Sequence, residues 1–233
     1  MRRLVRGAAV AAAALVAACA QTPDERYSAI YRTLHPSVAL LTMQIPADDP
    51  KRKGKWDDAY GTGVVVESGA WGTRLLTDAH VVDGAREVRA TVGDAGKPFA
   101  AKVVAVSDDA DDLALLEIGA PQLPAVRFAA GDGLEPGRAI GVLGYPIPDA
   151  FTDEHLRTTV SLYTGRIASL RNGAIEVDVP IIPGESGGPV FAADTGDVIG
   201  IAESRFDEER AIGFATPVEV IKRFLTAHPR PPG

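Results

Sequence analysis

The sequence holds a single cysteine, Cys19, so no internal disulfide can staple the fold. It also lacks an apolar run long enough to cross a bilayer. The longest, Ala8 to Ala18, is about 11 residues, against the roughly 20 that a spanning helix needs. Positive charge is scarce and scattered: 24 Lys and Arg face 31 Asp and Glu, for a formal charge of −7. The one cationic cluster, Lys51-Arg52-Lys53-Gly54-Lys55, is hemmed by Asp48, Asp49, Asp57 and Asp58 and reads as a solvated loop. Such a chain repels a phosphate backbone, which excludes nucleic acid as a partner. No cluster of His, Cys and Glu has metal-ligand spacing. His35, His155 and His228 stand without partner motifs and read as surface or capping residues, so neither a metal nor another cofactor is expected. Trp56 and Trp71 read as loop anchors.

What is present begins with a leader. Arg2, Arg3 and Arg6 precede the short apolar run, the pattern of a secretory signal peptide over residues 1–18. The run ends Val16-Ala17-Ala18-Cys19, which resembles a lipobox, with Cys19 as the lipidated residue and new N-terminus. Contact with a membrane is then expected through acyl chains on Cys19. Ala20 lacks the acidic character that retains lipoproteins at an inner membrane. The reading therefore favours the periplasmic face of an outer membrane, or the cell surface where there is one membrane.

Past a tether at residues 19–25, Tyr27, Ile30, Tyr31 and Leu34 recur at helical spacing, and His35-Pro36 ends that helix. From Ser37 the pattern changes to short apolar runs punctuated by Gly, Pro and Asp. Strands are predicted at Val38–Ile45, Gly63–Glu67, Arg74–Thr77, Glu87–Val92, Ala100–Val106 and Leu113–Ile118. A second set covers Ala139–Gly144, Thr158–Leu170, Ala174–Val179, Pro189–Ala192, Val198–Ser204 and Gly213–Thr216. About a dozen short strands with few helical patterns between them predict an all-β fold, a sandwich or a pair of barrels. The Pro- and Gly-rich stretch Gly119–Pro136 divides the sets, giving lobes at residues 26–130 and 131–228 and a polar tail at 229–233. Thr216-Pro217-Val218-Glu219 predicts a capped closing helix, Thr216 and Glu219 forming the capping box.

Three segments carry chemistry. Leu75-Leu76-Thr77-Asp78-Ala79-His80 is a strand ending in a histidine. Asp111-Asp112-Leu113-Ala114-Leu115 is an acidic turn entering an apolar strand. Pro183-Gly184-Glu185-Ser186-Gly187-Gly188-Pro189 frames a serine with glycines. A serine hydroxyl attacks a peptide only if a neutral imidazole takes its proton, and a carboxylate must hold that imidazole in the right tautomer. Among Asp108, Asp109, Asp111 and Asp112, the last directly precedes the strand that would bury it. The glycines let the N–H groups of Gly184 and Ser186 converge on a developing oxyanion. The chain order His80, Asp112, Ser186 is that of chymotrypsin-like barrels.

These segments resemble the trypsin-like serine proteases, and more narrowly the HtrA/Deg group. Gly61-Thr62-Gly63-Val64 and Ala211-Ile212-Gly213-Phe214-Ala215-Thr216-Pro217 extend the likeness from about Tyr27 to about Leu225. The resemblance implies two six-stranded β-barrels with the active site in the cleft between them. It assigns His80 as general base, Asp112 as its orienter and Ser186 as nucleophile. It also implies polypeptide substrates whose backbone pairs with the strand at Ala202, Glu203, Ser204 and Arg205. In the family the N-terminal helix supports a trimer, so a homo-oligomer is implied too, and the loop Pro46–Tyr60 corresponds to a regulatory region. The apolar run Val179-Pro180-Ile181-Ile182-Pro183 suits a small or medium aliphatic residue at the cleavage position, with Ile181 and Ile182 as substrate-binding residues and Arg205 as a competing attraction for an acidic one.

Two features depart from the pattern. No PDZ-like domain is expected after the closing helix. Glu185 stands where trypsins carry the aspartate that pairs with a freed N-terminal amine. With an acylated Cys19 no such amine exists, so activity is expected to need no zymogen cleavage and to follow loop ordering. Glu185 is then expected to be exposed, or paired with a side chain such as Arg166 or Arg205. The leading reading is an endopeptidase acting on unfolded or damaged exported proteins. The alternatives are a chaperone-like module that binds peptide without turnover and a lipoprotein adaptor.

Overall fold

A computed structural model of the chain describes residues 22–48, 51, 53–94, 96–107, 111–203 and 212–230. The leader, Cys19, Asp108, Asp109, Ser204 and Arg205 lie outside these residues. The chain opens with helix α1 (Pro23–Leu34) and a 3₁₀ turn (His35–Ser37). A complete capping box starts α1: Thr22 Oγ1 accepts from Glu25 N and Glu25 Oε2 accepts from Thr22 N.

The first six strands are β1 (Val38–Pro46), β2 (Trp56–Gly69), β3 (Gly72–Asp78), β4 (Arg86–Val92), β5 (Phe99–Val106) and β6 (Leu113–Ile118). They close a barrel in the order β1-β2-β3-β6-β5-β4. The short helix α2 (Ala79–Val82) follows β3 directly. The second six are β7 (Ala139–Gly144), β8 (Ser161–Arg171), β9 (Ala174–Val177), β10 (Pro189–Ala192), β11 (Val198–Glu203) and β12 (Gly213–Pro217), closed as β10-β11-β12-β9-β8-β7. Helix α3 (Pro148–Asp153) follows β7, and α4 (Val218–Ala227) follows β12.

Strands β3 and β6 read as nearly unbroken apolar runs because both of their faces are buried. Leu75, Ala114 and Leu116 point into the first barrel with Leu41, Val65 and Ala90. Their neighbours Leu76, Leu113 and Leu115 point the other way. There they join Val64 of β2, Ile201 of β11, and Val220, Ile221 and Phe224 of α4. That shared cluster holds the barrels together and fixes where β3 and β6 stand relative to the second barrel. A separate cluster seats α1, where Tyr27, Ile30, Tyr31 and Leu34 pack on Val38, Leu143, Tyr145 and Phe191. The Tyr27 and Tyr31 hydroxyls donate to the carbonyls of Ile140 and Val160, at 3.2 and 3.1 Å.

Two local expectations give way. The stretch Pro46–Tyr60 is not a loop throughout: β2 begins at Trp56, and Pro46 pairs with Trp56 in the β1–β2 ladder. The polar run Trp56-Asp57-Asp58 has no strand pattern of its own and is extended because β1 continues beside it. The capping box at the closing helix is also absent. Thr216 belongs to β12, opposite Ile201, and its hydroxyl turns across the sheet toward Glu203 Oε2 at 3.4 Å. The residue at the helix N-cap is Pro217, which offers no side-chain bond.

Candidate active site

Antiparallel pairing of β3 with β6 sets Asp78 opposite Leu113. The turn leaving β3 therefore meets the residue entering β6, although His80 and Asp112 are 32 positions apart. Asp112 takes a left-handed backbone conformation, φ 46°, which Asp tolerates better than most residues. Its carbonyl accepts from Ala79 N at 3.0 Å. Its Oδ1 accepts from His80 N at 2.9 Å, and its Oδ2 lies 2.6 Å from His80 Nδ1. One carboxylate thus holds both the backbone and the ring of the histidine.

This contact tunes both partners. The Asp112 hydrogen bond raises the His80 imidazole above its usual range; partial burial opposes it, and the charges of Asp112 and Glu203 add to it. Burial acts to raise the Asp112 carboxyl, but bonds from the His80 ring and from backbone N–H groups outweigh it and leave the group below the usual carboxylate range. His80, Asp112 and Glu203 line one cleft of about 650 Å³ with Asp83, Val103 and Val106. Fully buried Asp78 also places a carboxylate oxygen within 4.8 Å of the His80 and Asp112 ligand atoms. No sequence spacing pointed to this third acid. His80 Nδ1 and Asp112 Oδ2 are already engaged with each other, so the trio reads as the surroundings of an imidazole base.

Ser186 sits in the loop between β9 and β10 and is 6% exposed. Thr62 of β2 ties that loop to the first barrel. Its N–H donates to the Ser186 carbonyl at 2.9 Å, its hydroxyl donates to the Gly184 carbonyl at 2.6 Å, and its own carbonyl accepts from Thr77 Oγ1 at 2.7 Å. Thr77 lies three residues before His80, so a short chain of bonds connects the strand leading into the histidine to the loop carrying the serine. The Gly-Thr-Gly-Val segment was part of the sequence resemblance, yet nothing in it announced this junction. On the other side, Gly187 N donates to the Ala202 carbonyl at 2.9 Å and Ala202 N donates to the Gly188 carbonyl at 2.8 Å. Ala202 therefore anchors the serine loop through both of its backbone groups, where the resemblance implied pairing with a substrate backbone. Ile181 packs in the core of the second barrel, and Ile182 is half-buried at the start of the loop.

Glu185 corrects an expectation. It is neither exposed nor paired with Arg166, whose guanidinium donates to the Gly137 carbonyl instead; Arg205 lies outside the described residues. Glu185 is 1% exposed. Its Oε2 accepts from Ile182 N at 3.0 Å, and its Oε1 is buried with no hydrogen-bond partner. The cause is tertiary: Gly144 at the end of β7 packs against the Glu185 Cα and Cβ, so the loop closes over the side chain. Burial pushes the carboxyl up to about 7, with the Ile182 bond opposing.

The folded protein consequently keeps a proton that the unfolded chain releases near pH 4.5. Unfolding becomes more favourable as pH rises through that window, and stability falls by up to about 3 kcal/mol between pH 4.5 and 7, then levels. Urea melts across this range should show the fall in the natural protein and not in Glu185→Gln. Equal slopes in the two proteins would contradict this assignment.

The profile of the trypsin-like peptidase domain matches residues 61–201, from the Thr62 junction past the serine loop to β11. The chain belongs to this family. Its similarities lie on the HtrA/Deg branch. It is 32% identical over 186 residues to HhoB of Synechocystis sp., named as a serine protease, covering 75% of this chain and 40% of that one. It is also 32% identical over 176 residues to a DegP-like protein of Marinomonas sp., named as a periplasmic serine endoprotease, covering 73% and 35%. Among solved structures it matches the HtrA-type protease AlgW with a tripeptide, at TM-score 0.70 and 27% identity, over 86% of this chain and 62% of that one. The chain thus spans well under half the length of these sequence relatives. Two closed six-stranded barrels agree with the all-β architecture expected of this family.

Proposed function

We propose that the protein is an exported serine endopeptidase. The observation that carries this reading is the 2.6 Å contact between His80 Nδ1 and Asp112 Oδ2, made in the same unit as a glycine-framed Ser186 that Thr62 ties to the histidine strand. With Nδ1–H directed at Asp112, the ring keeps Nε2 free of a proton. Ser186 Oγ attacks the scissile carbonyl as its proton passes to Nε2, and the resulting imidazolium is stabilised by Asp112. The carbonyl oxygen becomes an oxyanion received by the N–H groups of Gly184 and Ser186. Nε2 then returns the proton to the leaving amine, leaving an acyl-serine that water hydrolyses by the same steps.

The periplasmic names of the DegP-like relatives support export, in line with the leader at residues 1–18, and the lipobox-like ending assigns Cys19 as a membrane anchor. The peptide bound to AlgW supports polypeptide substrates. The reading takes unfolded or damaged exported proteins as those substrates, cut after small or medium aliphatic residues beside Ile181 and Ile182.

The test is covalent labelling of the purified protein by a fluorophosphonate, beside Ser186→Ala and His80→Ala. Labelling at Ser186 that disappears in both variants is the expected result. A folded protein that takes up no label would overturn the reading in favour of peptide binding without turnover.

A further inference from the structure

Glu185 occupies the position between the two N–H groups assigned to the oxyanion, and its bonds shape that peptide. Glu185 N donates to the Ile182 carbonyl at 3.0 Å, and its carbonyl accepts from Gly188 N at 2.9 Å. The side chain closes the same turn a second time, through Oε2 and Ile182 N. The other carboxyl oxygen is buried without a hydrogen-bond partner. Gly144 of β7 packs against the Glu185 stem. The titratable group that feels its charge is the Tyr163 phenol on β8, which burial raises first and Glu185 raises further. Among the described residues no lysine, arginine or histidine contributes to the titration of Glu185.

A neutral carboxyl in this place leaves one O–H without an acceptor, a modest cost. An ionised one leaves a charge in the interior with a single hydrogen bond and no counter-ion, a far larger cost. The easiest relief is to turn the carboxylate toward water, and that breaks the Ile182 bond and loosens the turn presenting Gly184 N and Ser186 N. Proton and loop geometry are therefore linked.

We propose that Glu185 is the positioning residue of the oxyanion loop and acts in its protonated form, so that loss of its proton releases the loop and switches the enzyme off on the alkaline side. The inference rests on Ser186 being the nucleophile. Its consequence is unusual for a histidine-based hydrolase, because the reactive species needs a neutral His80 and a proton-bearing Glu185 together. Both groups are displaced upward, His80 by its bond to Asp112 and Glu185 by burial.

The experiment is the rate of Ser186 phosphonylation by a fluorophosphonate from about pH 5.5 to 9.5, for the natural protein and Glu185→Gln, with near-UV circular dichroism at each pH. Gln keeps an oxygen for Ile182 N and cannot ionise. The natural protein should rise with His80 deprotonation, then fall about tenfold per pH unit above 7, reaching about 100-fold by pH 9 with its dichroism still native. Glu185→Gln should rise and stay level. A natural profile with no alkaline fall overturns the proposal, as does an equal fall in the variant, or a folded variant that is unlabelled at every pH. If the variant does not fold, the natural profile decides alone, since a level alkaline limb is incompatible with release of the loop. A folded natural protein that is unlabelled at every pH brings down the assignment of Ser186 itself, an outcome separate from all of these.

Discussion

Replacing Asp112 by Asn should lower kcat on a denatured protein substrate by about 10⁴-fold while leaving the fold intact. Asp112 does two separable things. Its Oδ1 holds the backbone at His80 N, and its Oδ2 fixes the ring through Nδ1, at 2.9 and 2.6 Å. An amide oxygen can keep the first bond. The amide NH₂ placed at the ring donates to Nδ1, which moves the ring proton to Nε2 and removes the site that must accept the serine proton. The imidazolium also loses its counter-charge. Because the bond to Asp112 is the largest influence raising His80, the histidine should titrate at lower pH in the variant. Histidine proton resonances followed by NMR would show this beside steady-state rates. A loss of less than about tenfold in kcat, against the four orders expected, would mean that Asp112 does not orient the base.

The second large effect is structural. Gly187→Ala should destabilise the protein by about 3–5 kcal/mol, at the upper end of single substitutions. Gly187 has φ +90°, a region that alanine adopts only under strain, and an added Cβ would collide with the Thr62 carbonyl and Thr77 Oγ1. Those atoms form the junction joining the histidine strand to the serine loop, so relief of the clash must move one barrel against the other. Urea unfolding monitored by tryptophan fluorescence measures the loss, and labelling of Ser186 should fall with it. A stability change under about 1 kcal/mol would show that the junction is not held as tightly as its bonds suggest.

Much of the architecture was legible along the chain. Leu113–Ile118, Ala139–Gly144 and Pro189–Ala192 were read with the bounds they have, because each is an apolar run closed off by turn-forming residues. Strand β2 runs beyond its apolar core residues, since its first residues, Trp56 to Tyr60, are extended only by their partners on β1. The periodicity of the closing helix is legible but its cap is not: Thr216 has a cap's chemistry, while β-pairing commits it to the sheet.

The sequence by itself singled out the candidate reacting groups, because catalysis restricts residue type and local frame. A serine needs glycines to free its neighbouring N–H groups, and a histidine and an aspartate in the right chain order supply the base and its orienter. Choosing Asp112 among four nearby aspartates needed only the apolar run that follows it. What the tertiary structure alone decided is the environment of those groups. Thr62 and Thr77 are ordinary strand residues until two barrels meet and set them between His80 and Ser186. Glu203 acts on the imidazole only because β11 brings it there. Glu185 is expected from the sequence to be exposed or paired with an arginine such as Arg166 or Arg205, and the packing beside Gly144 buries it with a single hydrogen bond instead. Burial and electrostatic field are sums over neighbours distant in the chain, and local sequence carries little trace of such sums.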